Sequence, residues 1–436
     1  MHVTVVGAGY VGLVTAACLA HFGDHVTCLD ADAARVARLR AGDLPIHEPG
    51  LDELVAAGVA AGRLVFTDDP GASAGSTLAI VAVGTLDPDG EWYGGNVTRA
   101  VDGLVRDRRT PRAIVIRSTI LPGTAAAIAR DARALDPSVR IAFNPEFTRE
   151  GSAVRDFLAP DRVVLGLDPD ASGSELEADL RRLYAPIDAP VFVTDLTSAE
   201  LAKVGANVFL AMKVTFANEL ARISAAAGAD VNAVVDALGL DRRIGRAFLS
   251  PGPGYGGSCF PSQVRALPDL AGRLGVDAPL MRAIDRSNAT QAAWIVDRLE
   301  AATGSLADRT VALLGLTFKA GTDDLRESPA LRVAAVLAAR GARIAAWDPV
   351  ATRTGVAQLA ATGIAARAAA SAEDACAGAD AVVTATEWPE IGMLDWAAIA
   401  PTMPGRTIAD ARRVVDVAGA VAAGYRVVAM GVIPRG

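Results

Sequence analysis

The chain opens with an apolar strand that runs directly into a glycine turn. Val3-Thr-Val-Val6 supplies strand-forming residues, and Gly7-Ala-Gly9-Tyr-Val-Gly12 follows without a break. Glycines at these three positions permit a tight turn, a close approach of the backbone to a pyrophosphate, and close packing of the next helix on the strand. The phosphate charge would then face a helix N-terminus. The pattern predicts a dinucleotide-binding α/β domain at the start of the chain.

An aspartate lies where such a domain binds ribose. Val26-Thr-Cys-Leu29 reads as a second strand, and Asp30 follows it directly. A carboxylate at this place accepts hydrogen bonds from the adenosine ribose diol and repels a 2′-phosphate, which favours NAD over NADP. Arg35 is a further ribose contact, and its alternative is a solvated helix charge.

Apolar runs alternate with alanine-rich helical segments along most of the chain. Runs such as Leu78–Gly84 and Ala113–Ser118 predict buried parallel strands joined by crossover helices. Residues 198–227 lack proline and predict one helix of about 45 Å at 1.5 Å per residue. A second alternation begins after Gly304, without a Gly-x-Gly-x-x-Gly turn. We therefore expect a Rossmann-type domain over residues 1–195, a central helical dimerisation domain over 196–303, and a Rossmann-like, diphosphate-binding domain over 304–436.

Charge and cysteine usage exclude several classes of protein. A net charge of −8 and scattered basic residues provide no field for nucleic acid. No apolar run reaches the ~18 residues of a membrane span, so we expect a cytoplasmic protein without a membrane partner. The cysteines, Cys18, Cys28, Cys259 and Cys376, show no metal spacing and suit a reducing compartment. We expect three of them in the core and no bound metal.

Cys259 stands apart because it follows a glycine-rich segment, Gly252-Pro-Gly-Tyr-Gly-Gly-Ser258. Such a segment lets the backbone close tightly around a ligand, and a thiol at its end is a candidate nucleophile. By itself a lone cysteine is more often a small buried hydrophobe. With the dinucleotide turn, Cys259 predicts NAD chemistry that passes through a covalent intermediate.

The ordered series of motifs resembles the nucleotide-sugar 6-dehydrogenases, most closely the UDP-glucose 6-dehydrogenases, over nearly the whole chain. The matching segments, all quoted from this sequence, are Gly7-x-Gly-Tyr-Val-Gly12, Pro45–Leu51, Ser118-Thr119, Asn144-Pro-Glu-Phe147 with Glu150-Gly151, Glu200-x-x-Lys203-x-x-x-Asn207, Arg243-Ile-Gly245, Gly256-Gly-Ser-Cys259-Phe-Pro261, and Phe318-Lys319 with Arg326–Pro329.

This resemblance implies an oxidation in two steps. NAD accepts a hydride from C6 of a nucleotide hexose, and the cysteine captures the resulting aldehyde as a thiohemiacetal. A second NAD accepts another hydride, which leaves a thioester. Water then hydrolyses the thioester to the uronic acid. The implied catalytic residues are Cys259, Lys203, Asn207, Glu150, Thr119 and Glu146. The implied cofactor contacts are Gly7, Gly9, Tyr10, Val11, Gly12, Asp30, Arg35, Thr85 and Thr119. The implied substrate contacts are Glu146, Phe147, Glu150, Lys203, Asn207, Arg243, Gly256, Phe318, Lys319 and Arg326.

The chain departs from the family pattern at two places. The family continues its cysteine motif with Pro-Lys-Asp, whereas this chain reads Pro261-Ser262-Gln263 and so lacks both charges. Leu86 replaces a usual proline, and Glu91-Trp-Tyr-Gly-Gly95 replaces a usual Asp-Leu, which indicates a rebuilt loop beside the cofactor. Gln263 forms hydrogen bonds but neither carries charge nor accepts a proton.

These departures keep two alternative functions open. The first is a catalytically weakened relative that binds NAD and nucleotide sugar. The second is a two-electron β-hydroxyacid dehydrogenase, which needs neither a thiol nor a third domain. At the level of single residues, Glu200 with Lys203 also reads as a surface helix pair, and Asn207 as a solvated helix residue. Lys319 and Arg326 also read as surface cations.

Overall fold

The protein forms two compact α/β units, each containing one β-sheet. A computed structural model describes residues 1–87, 90, 92–106, 111, 113–168 and 174–431. The first unit is Met1–Ala206 and the second is Asn207–Gly436.

The first unit contains an eight-stranded sheet with the order β3-β2-β1-β4-β5-β6-β7-β8. Its strands are β1 (His2–Val6), β2 (His25–Leu29), β3 (Leu64–Thr67), β4 (Leu78–Val81), β5 (Ala113–Ile116), β6 (Ile141–Phe143), β7 (Val163–Leu167) and β8 (Val191–Asp195). Neighbours are parallel except β6 and β7, which pair antiparallel. Successive strands are added on one side of β1 up to β3 and on its other side from β4 onward, so the loops after β1 and β4 flank the crevice where α/β sheets bind ligands.

Helices cover both faces of this sheet. They are α1 (Tyr10–His21), α2 (Ala33–Arg40), α3 (Leu51–Ala60), α4 (Gly95–Arg106), α5 (Thr124–Leu135), α6 (Ala153–Leu158) and α7 (Glu175–Leu183), with a 3₁₀ turn at Pro70–Ser73. Alternate residues of β4 enter different cores: Leu78 and Ile80 pack on one face, and Ala79 and Val81 on the other. Burial on both faces explains why this strand is an unbroken apolar run.

A 32-residue helix, α8 (Leu196–Ala227), contains the boundary between the two units. The helices that follow are α9 (Val231–Leu240), α10 (Cys259–Arg273), α11 (Pro279–Ala289) and α12 (Gln291–Thr303). Because residues 241–258 form no helix or strand, they make a long connection that ends at the candidate nucleophile.

The second unit also contains a six-stranded parallel sheet with the order β11-β10-β9-β12-β13-β14. Its strands are β9 (Thr310–Leu314), β10 (Arg343–Trp347), β11 (Ala366–Ala368), β12 (Ala381–Thr384), β13 (Thr407–Asp410) and β14 (Arg426–Ala429). Its helices are α13 (Pro329–Ala339), α14 (Thr352–Ala361), α15 (Ala372–Cys376), α16 (Pro389–Gly392), α17 (Trp396–Ile399) and α18 (Val417–Ala422). The strand order is that of a Rossmann-type sheet.

The predicted fold class is confirmed: a Rossmann-type sheet, a helical segment with one long helix, and a second Rossmann-like sheet follow each other along the chain. The predicted domain limits of 1–195, 196–303 and 304–436 stay a prediction. Within the described ranges, no helix combines the length and apolarity needed to span a membrane.

Candidate active site

The glycine turn after β1 has the three local properties that a dinucleotide site requires. Gly7 has a φ of +102°, and a Cβ there would lie 2.6 Å from the carbonyl oxygen of Ala82. A Cβ on Gly12 would lie 1.8 Å from the carbonyl oxygen of Gly7, so α1 packs on the turn only with glycine at that position. A Cβ on Gly9 would meet nothing within 4 Å. The turn is therefore closed behind Gly7 and Gly12 and open in front of Gly9, where a pyrophosphate fits.

Asp30 lies directly after β2 and is held by the turn itself. One carboxylate oxygen accepts the backbone N–H of Ala8 at 2.7 Å, and the other accepts that of Asp32 at 2.9 Å. The Arg35 guanidinium donates to Asp30 at 3.0 Å, while the Arg35 side chain stays 39% exposed. The structure thus brings the two predicted ribose contacts, Asp30 and Arg35, together beside the glycine turn.

Tyr10 and Val11 begin α1 and serve different purposes. The Tyr10 hydroxyl donates to the buried Glu48 carboxylate and accepts the backbone N–H of Gly151 at 2.9 Å. Glu48 also accepts the Gly151 N–H at 2.7 Å, so this carboxylate ties the glycine turn to the segment after Glu150. Burial raises the pKa of Tyr10 above its ordinary range, which keeps the hydroxyl protonated. The Val11 carbonyl accepts the Thr15 hydroxyl inside the helix.

The loop after β4 carries Thr85, a predicted cofactor contact. The Thr85 carbonyl accepts the backbone N–H of Tyr93 at 2.8 Å, and the Gly84 carbonyl accepts from the Asn96 side chain. Leu86 and Trp92 form an isolated antiparallel bridge. The predicted rebuilt loop thus folds back on Thr85, although Glu91 lies outside the described residues.

Lys203 and Glu146 form a buried ion pair. The Lys203 ammonium, on α8, lies 2.9 Å from a carboxylate oxygen of Glu146, and their side chains are 3% and 7% exposed. Glu146 also accepts the backbone N–H and the hydroxyl of Thr148. Burial alone would raise the pKa of Glu146, but Lys203, Thr148 and nearby Arg117 outweigh it and lower the pKa. Removing either charge would leave the other buried without a counter-ion, which would lower the free energy of unfolding by about 3–5 kcal/mol.

The Phe147 ring lies close to two cationic side chains, Lys203 and Arg162. It lies 5.2 Å from the Lys203 ammonium and 3.9 Å from the Arg162 guanidinium. Arg117, which the sequence analysis did not single out, is buried and donates to Asn144 at 2.7 Å and to Tyr184 at 3.1 Å. Its signal was its position at the end of a buried strand, where a charged residue is costly unless it is paired.

Glu200 is not a surface partner of Lys203. Its side chain is fully buried, and its carboxylate accepts the backbone N–H groups of Gly123 and Ala125 at 2.7 and 2.6 Å. The alternative interpretation as a surface pair was wrong, because Lys203 turns to Glu146 and Glu200 caps α5 instead. Thr119 precedes Gly123 in the loop between β5 and α5, and is half-buried.

Glu150 is half-buried and immediately precedes Gly151, which has a φ of +79°. Its neighbour Arg149 pairs with Asp156 at 2.7 Å and leaves the loop toward solvent. Gly151 is anchored to Tyr10 and Glu48, as described above. The segment carrying Glu150 is therefore fixed relative to the glycine turn of the same unit.

In the second unit, Cys259 is exposed and is the first residue of α10. The Ser258 hydroxyl lies 3.7 Å from its sulfur. A thiol at a helix N-terminus is favoured as the thiolate, the nucleophilic form. By contrast, Cys18, Cys28 and Cys376 are buried, and burial raises the pKa of each to about 12. The prediction of three core cysteines is confirmed.

The glycine-rich segment before Cys259 is enclosed by its own unit. A Cβ on Gly254 would lie 2.6 Å from the Asn288 side-chain oxygen, and one on Gly256 would lie 2.4 Å from the Glu327 carbonyl. Gly257 has a φ of +78° and packs on the Phe318 ring. Because these positions are glycines, the cysteine loop packs directly against the Phe318–Glu327 connection. Side chains at Gly256 and Gly257 would prevent this close approach.

Asn207 and Gln263 form a buried amide pair. The Asn207 amide donates to the Gln263 carbonyl at 3.0 Å, and the residues are 7% and 2% exposed. The alternative interpretation of Asn207 as a solvated helix residue was wrong, since Gln263 of α10 covers it. Ser262 is also buried, and its hydroxyl donates to the Ser258 carbonyl at 2.7 Å. The first turn of α10 thus contains neutral groups at the two positions where the family pattern has charges.

The remaining predicted nucleotide and sugar contacts of the second unit lie on two connections. Arg326 pairs with Asp324 at 2.7 Å and remains 57% exposed. The Lys319 ammonium lies 5.3 Å from the Phe318 ring. Arg243 pairs with Asp241, and its side chain is 89% exposed. Arg326, Lys319 and Phe318 share the connection that touches the cysteine loop.

The fold and the local geometry define a class: a Rossmann-type dehydrogenase with a glycine turn after its first strand, an aspartate at the end of its second strand and an exposed thiol in the second unit. Three family models match the chain in order. They are the UDP-glucose/GDP-mannose dehydrogenase family NAD binding domain over residues 1–188, its central domain over 197–290, and its UDP binding domain over 312–417. The chain belongs to the UDP-glucose/GDP-mannose dehydrogenase family, and NAD is its cofactor.

Full-length relatives agree with the family models. UDP-glucose 6-dehydrogenase YwqF from Bacillus subtilis is 38% identical and covers 100% of this chain and 99% of its own length. A UDP-glucose 6-dehydrogenase from Pseudomonas aeruginosa is 40% identical over 94% of this chain and 93% of its own. The solved UDP-glucose dehydrogenase from Pyrobaculum islandicum superposes with a TM-score of 0.87 at 36% identity, covering 95% and 94% of the two chains.

Proposed function

We propose that the protein oxidises the C6 hydroxyl of UDP-glucose to the carboxylate of UDP-glucuronic acid, with two NAD reduced per sugar. The observation that carries this proposal is an exposed Cys259 at the start of α10, in a chain that aligns end to end with UDP-glucose 6-dehydrogenases. The match to a UDP binding domain supports a uridine diphosphate as the nucleotide.

The first unit would hold the cofactor. NAD supplies the hydride acceptor for both oxidation steps. Gly9 leaves room for the pyrophosphate, and Asp30 with Arg35 binds the adenosine ribose. Thr85 and Thr119 lie on the loops after β4 and β5, at the carboxyl edge of the sheet, where a Rossmann-type domain receives its ligand.

Lys203 and Glu146 would handle charge during the first oxidation. The C6 hydroxyl loses a proton and its carbon loses a hydride, which leaves an aldehyde. The Lys203 ammonium stabilises the developing oxyanion, and Glu146 holds the ammonium in place at 2.9 Å. Asn207 is the amide donor for the same oxygen, with its orientation set by Gln263.

Cys259 would keep the aldehyde on the enzyme. Its thiolate adds to the carbonyl carbon and forms a thiohemiacetal, and a second hydride loss from that carbon gives a thioester. Water then attacks the thioester, the C–S bond breaks, and the thiol and the carboxylic acid are released. Glu150 and Thr119 are the proposed groups that orient this water and accept its proton.

The domain division follows from these roles. We propose residues 1–195 for NAD, 196–303 for the thiol and subunit contact, and 304–436 for the nucleotide. Phe318, Lys319 and Arg326 would contact the uridine diphosphate, with Phe147, Gly256 and Arg243 around the sugar. The cysteines, none of them in a disulfide, suit the reducing cytoplasm, which we propose as the location.

A homodimer is the proposed assembly. On α8, Phe209, Phe216 and Ile223 are 57%, 49% and 62% exposed and follow one another at intervals of seven residues. A repeat of seven forms one apolar stripe along a helix, and a twofold axis pairs such a stripe with itself. We propose that α8 of a second copy covers it.

The loss of charge on α10 favours one alternative, a weakened relative that binds both ligands. Because Ser262 and Gln263 are buried, the missing lysine and aspartate have no substitute charge in that turn. The β-hydroxyacid dehydrogenase alternative has no comparable support, since the chain continues into a UDP binding domain.

The test is an assay of the purified protein with NAD and, separately, UDP-glucose, TDP-glucose and GDP-mannose, with mass detection of the products. We expect two NADH per UDP-glucose and a carboxylate product. Release of aldehyde with one NADH would contradict the thioester route. Binding of both ligands without turnover on any sugar would establish the weakened relative. Cys259→Ser serves as the matched variant, since a hydroxyl is a far poorer nucleophile than a thiolate.

A further inference from the structure

The buried carboxylate of Glu200 joins two elements that carry proposed catalytic residues. Its two oxygens accept the N–H groups of Gly123 and Ala125 at 2.7 and 2.6 Å, in the first turn of α5. These N–H groups have no partner inside their own helix. A side chain of α8 thus caps the N-terminus of α5, although Glu200 and Gly123 are 77 residues apart in the sequence.

This cap fixes one end of the loop that contains Thr119. The other end is fixed by Ser118, whose hydroxyl donates to the Val83 carbonyl at 2.7 Å. Between the two anchors lie Thr119, Ile120, Leu121 and Pro122, of which Ile120 is fully buried. A loop held at both ends presents its side chains in one arrangement, and Thr119 is the polar side chain within it.

Glu200 also has a fixed relation to Lys203. The two are three residues apart on α8, and Lys203 is held in turn by Glu146 at 2.9 Å. We propose that Glu200 is a positioning residue that locks the Thr119 loop to the helix carrying Lys203, so that the cofactor loop and the lysine move as one rigid body. The catalytic part of this inference rests on the proposed function, through the roles given there to Thr119 and Lys203.

The double cap needs an acceptor on both oxygens of Glu200, whereas burial favours the protonated carboxyl. Burial raises the pKa of Glu200 to about 7, against the lowering effect of the Ala125 and Gly123 N–H groups, and Asp195 at the end of β8 raises it further. The loop and α5 contribute backbone N–H groups, and Lys203 is engaged by Glu146. Because a protonated carboxyl keeps only one full acceptor oxygen, the double cap is complete in the ionised form.

The test is Glu200→Gln, which keeps the shape but offers one acceptor oxygen and turns an NH₂ group toward the second N–H. We expect NAD binding, measured by calorimetry without sugar, to weaken about 10-fold, and kcat to fall about 10-fold, because small displacements of positioning groups have effects of this size. The KM for UDP-glucose should stay within about threefold, as the nucleotide is bound elsewhere.

Two variants control this experiment. Asp395→Asn alters another carboxylate cap, in which one oxygen accepts the N–H groups of Ala397 and Ala398 in the first turn of α17, and should leave NAD affinity and kcat unchanged. Glu200→Asp keeps the charge but withdraws the carboxylate by one methylene. Its NAD affinity should lie between those of the wild type and Glu200→Gln, and it takes the place of Glu200→Gln if that variant does not fold. Equal NAD affinity in Glu200→Gln, Glu200→Asp and the wild type would overturn the inference. Lack of turnover in the wild type, with NAD binding still weakened in the variant, would contradict the proposed function and leave the positioning role supported.

The pH dependence of stability gives a second readout. The folded pKa of Glu200, about 7, lies above its ordinary value of 4.5, so the folded state binds the proton more tightly. Glu200 therefore favours folding at low pH, and this contribution is lost as the pH rises from about 4.5 to about 7. Urea unfolding of Glu200→Gln should show a flatter stability profile across this window than the wild type. An unchanged profile would argue that Glu200 is exposed to solvent and does not cap α5.

Discussion

In both sheets a glycine follows the central strand, and the next backbone N–H donates to an aspartate at the end of the neighbouring strand. In the first unit the Gly7 N–H donates to the Leu29 carbonyl at 2.7 Å, and the Ala8 N–H donates to Asp30 at 2.7 Å. Asp30 remains beside open space at Gly9, and the exposed Arg35 is its side-chain partner.

The second unit repeats the same pair of hydrogen bonds. The Gly315 N–H donates to the Trp347 carbonyl at 2.8 Å, and the Leu316 N–H donates to Asp348 at 2.7 Å. Here, however, Thr317 takes the place that Gly9 has in the first turn. Its hydroxyl donates to Asp348 at 3.2 Å, and the Trp388 indole donates at 3.1 Å.

One framework therefore serves two purposes. In the first sheet, small residues surround the aspartate. The turn there keeps a carboxylate beside open space, which suits the proposed contacts with a ribose and a pyrophosphate. In the second sheet, where a hydroxyl and an indole donate to the aspartate, the turn is part of the core, and the proposed nucleotide contacts lie instead on the connection that carries Phe318, Lys319 and Arg326. The side chains around the aspartate, rather than the topology, decide between the two.

The largest expected effect comes from placing a methyl group on the glycine of each turn. Gly7→Ala would put a Cβ 2.6 Å from the Ala82 carbonyl at a φ of +102°, which distorts the turn. We expect NAD affinity, measured by calorimetry, to fall about 100-fold, in line with backbone strain of 1–3 kcal/mol plus loss of fit. Gly315→Ala, with a Cβ 2.5 Å from Thr386, should destabilise the protein but leave NAD affinity unchanged. Equal losses of NAD affinity in both variants would break the comparison.

The two aspartates should differ in their contribution to stability. Asp348 is 2% exposed and also accepts the backbone N–H groups of Val350 and Ala351, so Asp348→Asn would turn an amide NH₂ toward donors. We expect a loss of about 2–3 kcal/mol in the free energy of unfolding, measured by urea denaturation. Asp30→Asn has fewer donors to lose and should cost about 1 kcal/mol. A larger loss for Asp30→Asn would reverse our assignment of the structural and the ligand-binding aspartate.

Cofactor choice sharpens the same comparison. The wild type should prefer NAD over NADP by about 10-fold or more, because Asp30 places a carboxylate where the 2′-phosphate would lie. Asp30→Asn should reduce that preference, since Arg35 is then released to contact the phosphate. Specificity constants for the two cofactors measure this directly, with Asp348→Asn as the control that should not change the ratio. Equal specificity constants for NAD and NADP in the wild type would contradict the proposed contact between Asp30 and the ribose.

The smallest expected effect concerns the open space at Gly9. Because a Cβ there meets nothing within 4 Å, Gly9→Ala should leave stability unchanged or raise it by about 0.4–1 kcal/mol. The methyl group would nevertheless occupy the path of the pyrophosphate, so NAD binding should weaken by about fivefold. A variant that loses stability instead would show that Gly9 is needed for the fold and not for the ligand.

Much of this contrast was available from the sequence. Strand patterning followed by Gly7, Gly9 and Gly12 predicted the first turn, and Asp30 was placed correctly at the end of β2. The lack of a Gly-x-Gly-x-x-Gly turn after Gly304 distinguished the second alternation from the first and predicted a diphosphate-binding domain there. These features are local: each depends on residues within a few positions of one another, and local patterns carry such information.

The remaining features depend on contacts between distant residues. Glu200 and Lys203 have the spacing of a surface pair, yet each turns to a partner 57 or more residues away. Nothing in a spacing of three reveals which face of α8 is covered. Asp348 likewise has the same local pattern as Asp30, and the Trp388 indole that helps to make it a core residue lies 40 residues later. Short strands such as β6, with three residues, are too brief for a periodic signal.

The contrast among the cysteines makes this enzyme a convenient subject for chemical titration. With Cys18, Cys28 and Cys376 buried and their pKa values near 12, a thiol-specific reagent at mildly alkaline pH should modify one sulfur per folded chain, that of Cys259. A fluorophore attached there would count competent molecules in a preparation before any substrate is known. Protection from the reagent by a nucleotide sugar would rank ligands by occupancy alone, without a turnover assay.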